Sequence, residues 1–246
     1  MKVLELIDNF LSGNLVHIYG DAKCGKTHLA VYHAVIEAYR RAEIESDKEC
    51  KLRFIVIDCD GGTSVSRLLE IARANGVNAD ELYKRLEVFK PNSFNEAYKL
   101  VTSDLPQWLR VNQYEAKAIC LDGLMLLYRR EWVDVPKKQI LEIARQLKPR
   151  LNAILTSLLY TARQYDAIAT VTNIKKSFLG FEGVSRETKL DFYGGMDFAY
   201  IPYATLRVDR LEDNKFIASL VMHRFKRAGE TAIYAIAKEG IKDATL

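Results

Sequence analysis

The stretch that decides the fold runs from Asn14 to Thr27, Asn-Leu-Val-His-Ile-Tyr-Gly-Asp-Ala-Lys-Cys-Gly-Lys-Thr. After the break at Ser12-Gly13-Asn14, the apolar run Asn14 to Tyr19 reads as a short buried strand that feeds directly into Gly20. Gly20 to Thr27 fits the pattern GxxxxGK[ST] at every fixed position, and helical spacing follows from Lys26 to Ala42. Strand, loop and helix in this order are the context in which such a loop wraps phosphate. The glycines let backbone N–H groups turn inward around an anion, Lys26 offers a cation to β and γ phosphates, and Thr27 offers a hydroxyl to Mg²⁺. The residues expected to hold a nucleotide are therefore Gly20, Asp21, Ala22, Lys23, Cys24, Gly25, Lys26 and Thr27, with His28 directly behind them.

Outward from the loop, strands alternate with helices. Val3, Leu4, Ile7, Phe10 and Leu11 recur at helical spacing, and Glu43 to Lys51 reads as a polar surface loop. Phe54 to Asp58 is an apolar strand ending in an acid, and Val65 to Asn75 is helical. Leu86 to Phe89, Ala118 to Asp122 and Ala167 to Thr172 read as further buried strands, each preceded by a helical segment. Strands apolar on both faces require a mainly parallel sheet flanked by helices on both sides. After Asp197 the pattern changes to Tyr203–Arg210, Phe216–His223 and Thr231–Ala237 without intervening helices, an antiparallel meander that extends the sheet. No internal repeat or linker divides the chain, so residues 1–246 are expected to form one α/β domain.

At 246 residues, 49% hydrophobic and 28% charged, the chain is an ordinary globular protein rather than a disulfide-stapled mini-protein or a disordered one. A net charge of +4 does not imply a general polyanion-binding surface. Without a bilayer-length apolar run or a signal-peptide pattern, a cytoplasmic protein with no membrane partner is expected. Cys24, Cys50, Cys59 and Cys120 lack metal-site spacing and read as buried thiols.

A metal and water site next to the loop needs acids at neighbouring strand ends. Asp122 is placed to hold the Mg²⁺ water shell, or else to serve as a turn residue before Gly123. Asp58 and Asp60 are alternative groups for polarising an attacking water, while Asp60 before Gly61-Gly62 also reads as a turn former.

Ordered blocks of sequence resemble the RecA family, on the branch of the archaeal RadA and RadB recombinases and their paralogues. Ile57-Asp58-Cys59-Asp60-Gly61-Gly62-Thr63 with Arg67-Leu68 and Ile71-Ala72 resembles the family's IDTEGTF…ERL..IA block. Leu121-Asp122-Gly123 with Leu127-Tyr128-Arg129-Arg130-Glu131 resembles VDS…LFRRE, and Val171-Thr172-Asn173 resembles ITNQ. The likeness runs from about Leu4 to Asp243, with nothing ahead of it to match RadA's N-terminal helical domain, so it is nearer to RadB and the RadA paralogues. The resemblance implies a RecA-like P-loop ATPase core that binds ATP and Mg²⁺. In it Lys26, Asp60, Asp122 and Arg224 are the catalytic set, Thr27 and Asp122 the metal set, and Arg67 a residue over adenine or on a helix-surface ion pair.

Departures from the pattern are specific. The family's catalytic glutamate is Asp60, one methylene or roughly 1.5 Å shorter. Its γ-phosphate-sensing glutamine is Ile174, its serine after the metal-site acid is Gly123, and its paired trans-acting basic residues fall at Met222-His223-Arg224. Slow or weak hydrolysis is the expectation.

The resemblance also places two DNA loops. Lys175, Lys176, Arg186 and Lys189 are interleaved with Phe178, Phe181 and Phe192 in the second, combining cations for phosphates with rings for bases. Arg129, Arg130, Lys137 and Lys138 flank Glu131 to Pro136 at the first, or else form a solvated basic helix end. Acids at Glu182, Glu187 and Asp191 also suit a protein-contact loop. The expected function is an ATP-binding recombinase paralogue that supports recombination or repair by binding single-stranded DNA, a recombinase or another repair protein, with self-association as a further expectation. The alternative is a KaiC-like nucleotide-gated module that regulates a partner without DNA.

Overall fold

The structure, a computed structural model, describes residues 2–131, 133, 135–175, 191–212 and 214–244. Its strands are β1 (Asn14–Gly20), β2 (Leu52–Asp58), β3 (Leu86–Phe89), β4 (Glu115–Asp122), β5 (Ile168–Ile174), β6 (Ala204–Glu212), β7 (Lys215–His223), β8 (Thr231–Ala237) and β9 (Gly240–Asp243). They form one sheet in the order β3-β2-β4-β5-β1-β6-β7-β8-β9. From β3 to β6 neighbours run parallel, and from β6 to β9 they run antiparallel.

Alternation along each strand feeds two cores. Val16 and Ile18 of β1 with Phe54 and Val56 of β2 face one layer. That layer holds α1 (Ala34–Arg41), α2 (Val65–Ala74) and α3 (Ala79–Arg85). Leu15 and Tyr19 with Ile55 and Ile57 face the other. There lie α4 (Phe94–Lys99), α5 (Leu105–Asn112), α6 (Leu124–Arg130), the 29-residue α7 (Lys137–Tyr165) and α8 (Met196–Tyr200). Parallel register brings Gly20 level with Ile174 and Asp58 level with Asp122, so the chemically interesting strand ends share one edge.

The structure departs from the sequence reading in four places. The N-terminal segment is a short 3-10 helix, Val3–Ile7, followed by Asp8, Asn9 and Phe10, all with positive φ. That left-handed turn buries Phe10 completely, and Asp8 anchors it by accepting hydrogen bonds from Tyr203 Oη (2.5 Å), His223 Nε2 (3.1 Å) and Lys226. Strand β3 is half-buried rather than buried, because it is the sheet edge. Strand β9 adds a fourth antiparallel strand beyond the three the sequence pattern shows, and it is only four residues long. Cys50 is half-buried, whereas Cys24, Cys59 and Cys120 are buried free thiols. Among the described residues no helix is long and apolar enough to cross a membrane.

Candidate functional site

Strand β1 delivers the phosphate loop to the sheet edge, where Gly20 lies close beside Val208 of the parallel neighbour β6. A Cβ at Gly20 would stand 2.1 Å from Val208 O and 2.7 Å from Cys24 Sγ, so only hydrogen fits. The loop continues into Lys26 and Thr27 and then into a π-helical turn, His28–His33, ahead of α1. Such turns gather at functional sites. Lys26 Nζ donates to Gly20 O (3.2 Å) and Asp21 O (2.5 Å), which holds the ammonium over the mouth of the loop.

Opposite stands Asp122 at the end of β4, 2% exposed. Its Oδ2 accepts from Thr27 Oγ1 at 2.7 Å and its Oδ1 from Thr172 Oγ1 at 2.5 Å. Burial drives the Asp122 pKa up, the hydrogen bonds from Thr172 and Thr27 pull it down, and the charges of Asp60 and Asp58 add to the rise. Thr172 Oγ1 in turn accepts from the Gly123 amide at 2.9 Å. Sequence reasoning missed this orienting hydroxyl, whose signal was a threonine at the end of the central strand Ala167 to Thr172.

Asp58 and Asp60 separate cleanly. The Asp58 side chain is fully buried and accepts from the amides of Gly61 (2.9 Å) and Thr63 (3.4 Å), so it organises its own turn. Burial, then the nearby Asp60 charge, raise its pKa against those backbone bonds. Asp60 is exposed, lines the cleft and lies against Gly123, where a Cβ would stand 2.7 Å from Asp60 Cγ. Gly123 also has φ +75°, so this corner is built for glycine twice over. Asp60 Oδ1 accepts from Gly62 N at 2.9 Å, which draws the carboxylate back onto its turn.

The cleft, about 510 Å³, is lined by Ala22–His28, Asp60, Asp122, Gly123, Asn173 and Ile174 among others. Its volume suits a nucleotide. The residues also suit the implied ATP·Mg²⁺: a glycine cradle, an ammonium at its mouth, and a hydroxyl–carboxylate pair of hard oxygens of the kind Mg²⁺ takes. His28 lines the cleft with its ring edge-on to Tyr32, and burial followed by the Arg67 charge lowers its pKa to about 4. Arg67 does not line it. Its guanidinium donates to Ala237 O (2.6 Å) and pairs with Glu70 (3.3 Å), tying α2 to the end of β8.

The expected DNA-contacting cations are distributed differently. Arg129 lies over the Tyr193 ring at 5.1 Å, joining the end of α6 to residues ahead of α8, and Arg130 is exposed. Lys175 Nζ pairs with Asp209 (3.2 Å) and Asp21 (3.9 Å). Phe192, read as one of the rings for bases, is instead fully buried against His17 and Tyr19, so it packs the core. Lys176, Phe178, Phe181, Arg186 and Lys189, and the side chains of Lys137 and Lys138, lie outside the described residues. Arg224 is exposed just past β7. Val208 is level with Gly20 but Ala204 is level with His223, and the Arg224 amide donates to Tyr203 O, so Arg224 sits five residues, about 16 Å, toward the opposite sheet edge. That is beyond the reach of an arginine toward this chain's own cleft.

The Rad51 family profile matches residues 4–244. The chain belongs to the Rad51 family. Among Rad51-family relatives named DNA repair and recombination protein RadB, that of Methanobrevibacter smithii is 26% identical over 242 residues, covering 96% of this chain and 92% of the relative. That of Thermococcus kodakarensis is 27% identical over 235 residues, covering 95% and 92%. A crystal structure of the RadB recombinase superposes with a TM-score of 0.74 at 24% identity, covering 99% of this chain and 97% of the other, which confirms the RecA-like core.

Proposed function

We propose that this chain is a RadB-like member of the Rad51 family that supports DNA repair and recombination as one cytoplasmic domain, binding ATP·Mg²⁺ and single-stranded DNA at the same sheet edge. The observation that carries the reading is the meeting of the phosphate loop with the β4 acid, Thr27 Oγ1 on Asp122 Oδ2 at 2.7 Å, within a chain whose family match spans 4–244.

What ATP·Mg²⁺ supplies when bound is a cluster of negative charge at this edge, with a γ-phosphoryl group open to transfer to water. Lys26, held on the loop carbonyls, would pair with phosphate, and Thr27 and Asp122 would offer oxygens to the metal and its waters. Thr172 keeps Asp122 in that orientation. Asp60 is the group at hand to polarise a water. Its short side chain and its bond to Gly62 N hold it back, which supports slow turnover; a displacement of about 1 Å costs about a hundredfold in rate. Arg224, too far along the sheet to reach its own cleft, would serve phosphate only across a contact with a second copy or with a related recombinase.

For DNA, Arg130 and the cations and rings between 175 and 189 supply phosphate and base contacts respectively. The relatives' names favour this reading over a partner-regulating module without DNA. Calorimetric titration with ATP·Mg²⁺ combined with fluorescence anisotropy on a labelled single strand tests it. Binding of both is expected. ATP binding with no affinity for DNA at low salt would return the partner-regulating alternative.

A further inference from the structure

The residue at 174, where the resemblance expects a nucleotide-sensing amide, is an isoleucine that can neither donate nor accept a side-chain hydrogen bond. The next residue is wired to the phosphate loop instead. The Lys175 amide donates to Gly20 O at 3.2 Å, the same carbonyl that accepts Lys26 Nζ at 3.2 Å. Lys175 Nζ pairs with Asp21 of the loop at 3.9 Å and with Asp209 of β6 at 3.2 Å.

From Asp209 the contacts continue away from the nucleotide. Arg207 Nε pairs with Asp209 Oδ2 at 2.6 Å and Arg207 Nη1 with Asp191 Oδ2 at 3.5 Å. Asp191 Oδ1 accepts from Tyr19 Oη at 2.6 Å. Lys175 and Asp191 thus bracket 176–190 on its two sides, joined by a bridge between Lys175 and Phe192. Phe192 is fully buried against His17 and Tyr19, and Asn173 Nδ2 donates to Tyr193 O at 2.8 Å, so the downstream arm is rooted in the core.

We propose that Lys175 is a positioning residue that reports the state of the phosphate loop to both ends of segment 176–190 through the ionic chain Asp21–Lys175–Asp209–Arg207–Asp191. With phosphate in the loop, Lys26 would leave Gly20 O and the Lys175 ammonium would be drawn away from Asp21 and Asp209. The charges sit within 4 Å of one another at quarter-exposed to exposed positions, where each such pairing is modest and readily exchanged. Loosening Asp209 from Lys175 leaves it to Arg207, which weakens the grip of Arg207 on Asp191. The DNA consequence of this relay rests on the proposed role of 176–190, whereas its effect on residues 191–195 does not.

The test compares Lys175→Gln and Asp209→Asn with the parent. Their direct effects on DNA oppose each other, since one removes a cation and the other an anion. The relay nevertheless predicts that both abolish the ATP dependence. Single-strand affinity is measured by anisotropy with and without ATP·Mg²⁺, and amide hydrogen exchange over 191–195 is followed under the same two conditions. The parent should show at least a fivefold change in DNA affinity and a change in exchange on ATP addition. In both variants the affinity ratio should fall to about one and the exchange change should vanish, with Asp209→Glu restoring both. Parent-like ratios and exchange changes in the variants would overturn the relay, as would a parent whose exchange ignores ATP. A parent with the exchange change but no affinity for DNA refutes the DNA reading alone and leaves the relay standing.

Discussion

Replacing Thr172 by valine keeps the volume and the β-branch but deletes the hydroxyl that orients Asp122. In the structure that oxygen donates to Asp122 Oδ1 at 2.5 Å and accepts from Gly123 N at 2.9 Å, and Thr172 is 2% exposed. A hydrogen bond to a buried charge contributes about 1.5–3 kcal/mol, and an amide left without a partner adds to the loss. Protonation of Asp122, whose pKa burial already raises, limits the damage. The expected destabilisation is about 2–3 kcal/mol, which for a chain of this size lowers Tm by about 4–12 °C. Asp122 also becomes free to rotate, and loss of a partner that orients a metal-binding group costs about 10–100-fold in affinity. Thermal denaturation and calorimetric titration of ATP with and without Mg²⁺ read the two effects separately. Thr172→Ser, which keeps the hydroxyl, should retain the Mg²⁺-dependent affinity. A valine variant with a lowered Tm and unchanged Mg²⁺-dependent affinity would show that Thr172 only packs the strand end, refuting its role at the site.

Three further outcomes follow from the same geometry. Asp122→Asn should abolish Mg²⁺-dependent ATP binding yet leave Tm equal or higher, because a carboxylate whose pKa is raised by burial burdens the empty fold at neutral pH; a clear fall in Tm would contradict this. Asp60→Glu should raise ATP turnover, and a fall in rate would mean that the aspartate is already best placed over Gly123. Burial holds the folded-state pKa of His17 at about 3 and of His33 at about 4, below the unfolded value near 6.5. The stability they confer is full above about pH 6.5 and declines as pH falls toward the folded values, by about 1.4 kcal/mol per pH unit for each histidine. The raised carboxyls of Asp58 and Asp122 act in the opposite direction. His17→Phe, which suits the ring cluster of Tyr19, Phe192 and Phe198, removes one of these histidine contributions, so its urea midpoint should lose less than the parent's, or gain more, between pH 7.5 and 5. An unchanged slope would refute the assignment.

The parallel sheet was legible because its strands are apolar on both faces and the loop at Gly20–Thr27 fixes where one of them ends. The N-terminal turn was not legible: apolar spacing over Val3–Leu11 matches a helix, but Asp8 prefers three partners distant in sequence, Tyr203, His223 and Lys226, and the backbone turns left-handed to reach them. At the site, Lys26, Thr27 and Asp122 could be named from motif and strand end alone. The choice between Asp58 and Asp60 could not, since both bond to their own turn and only the folded chain decides which is buried and which lines the cleft. Arg67 and Lys175 are similar cases, cations in expected positions whose partners, Ala237 O and Asp209, come from strands far along the chain. Spacing reveals a residue's face and reach; competition for its charge is settled by tertiary neighbours.

ATP turnover with and without single-stranded DNA, measured on the parent and on Lys26→Ala, tests the central claim most directly, because it reads the phosphate loop and its link to DNA in one assay. The account predicts slow turnover in the parent that rises on adding the single strand, and severe loss of both ATP binding and turnover in Lys26→Ala with the fold intact. Lys26→Ala with parent ATP affinity, or parent turnover indifferent to DNA at low salt, would contradict it.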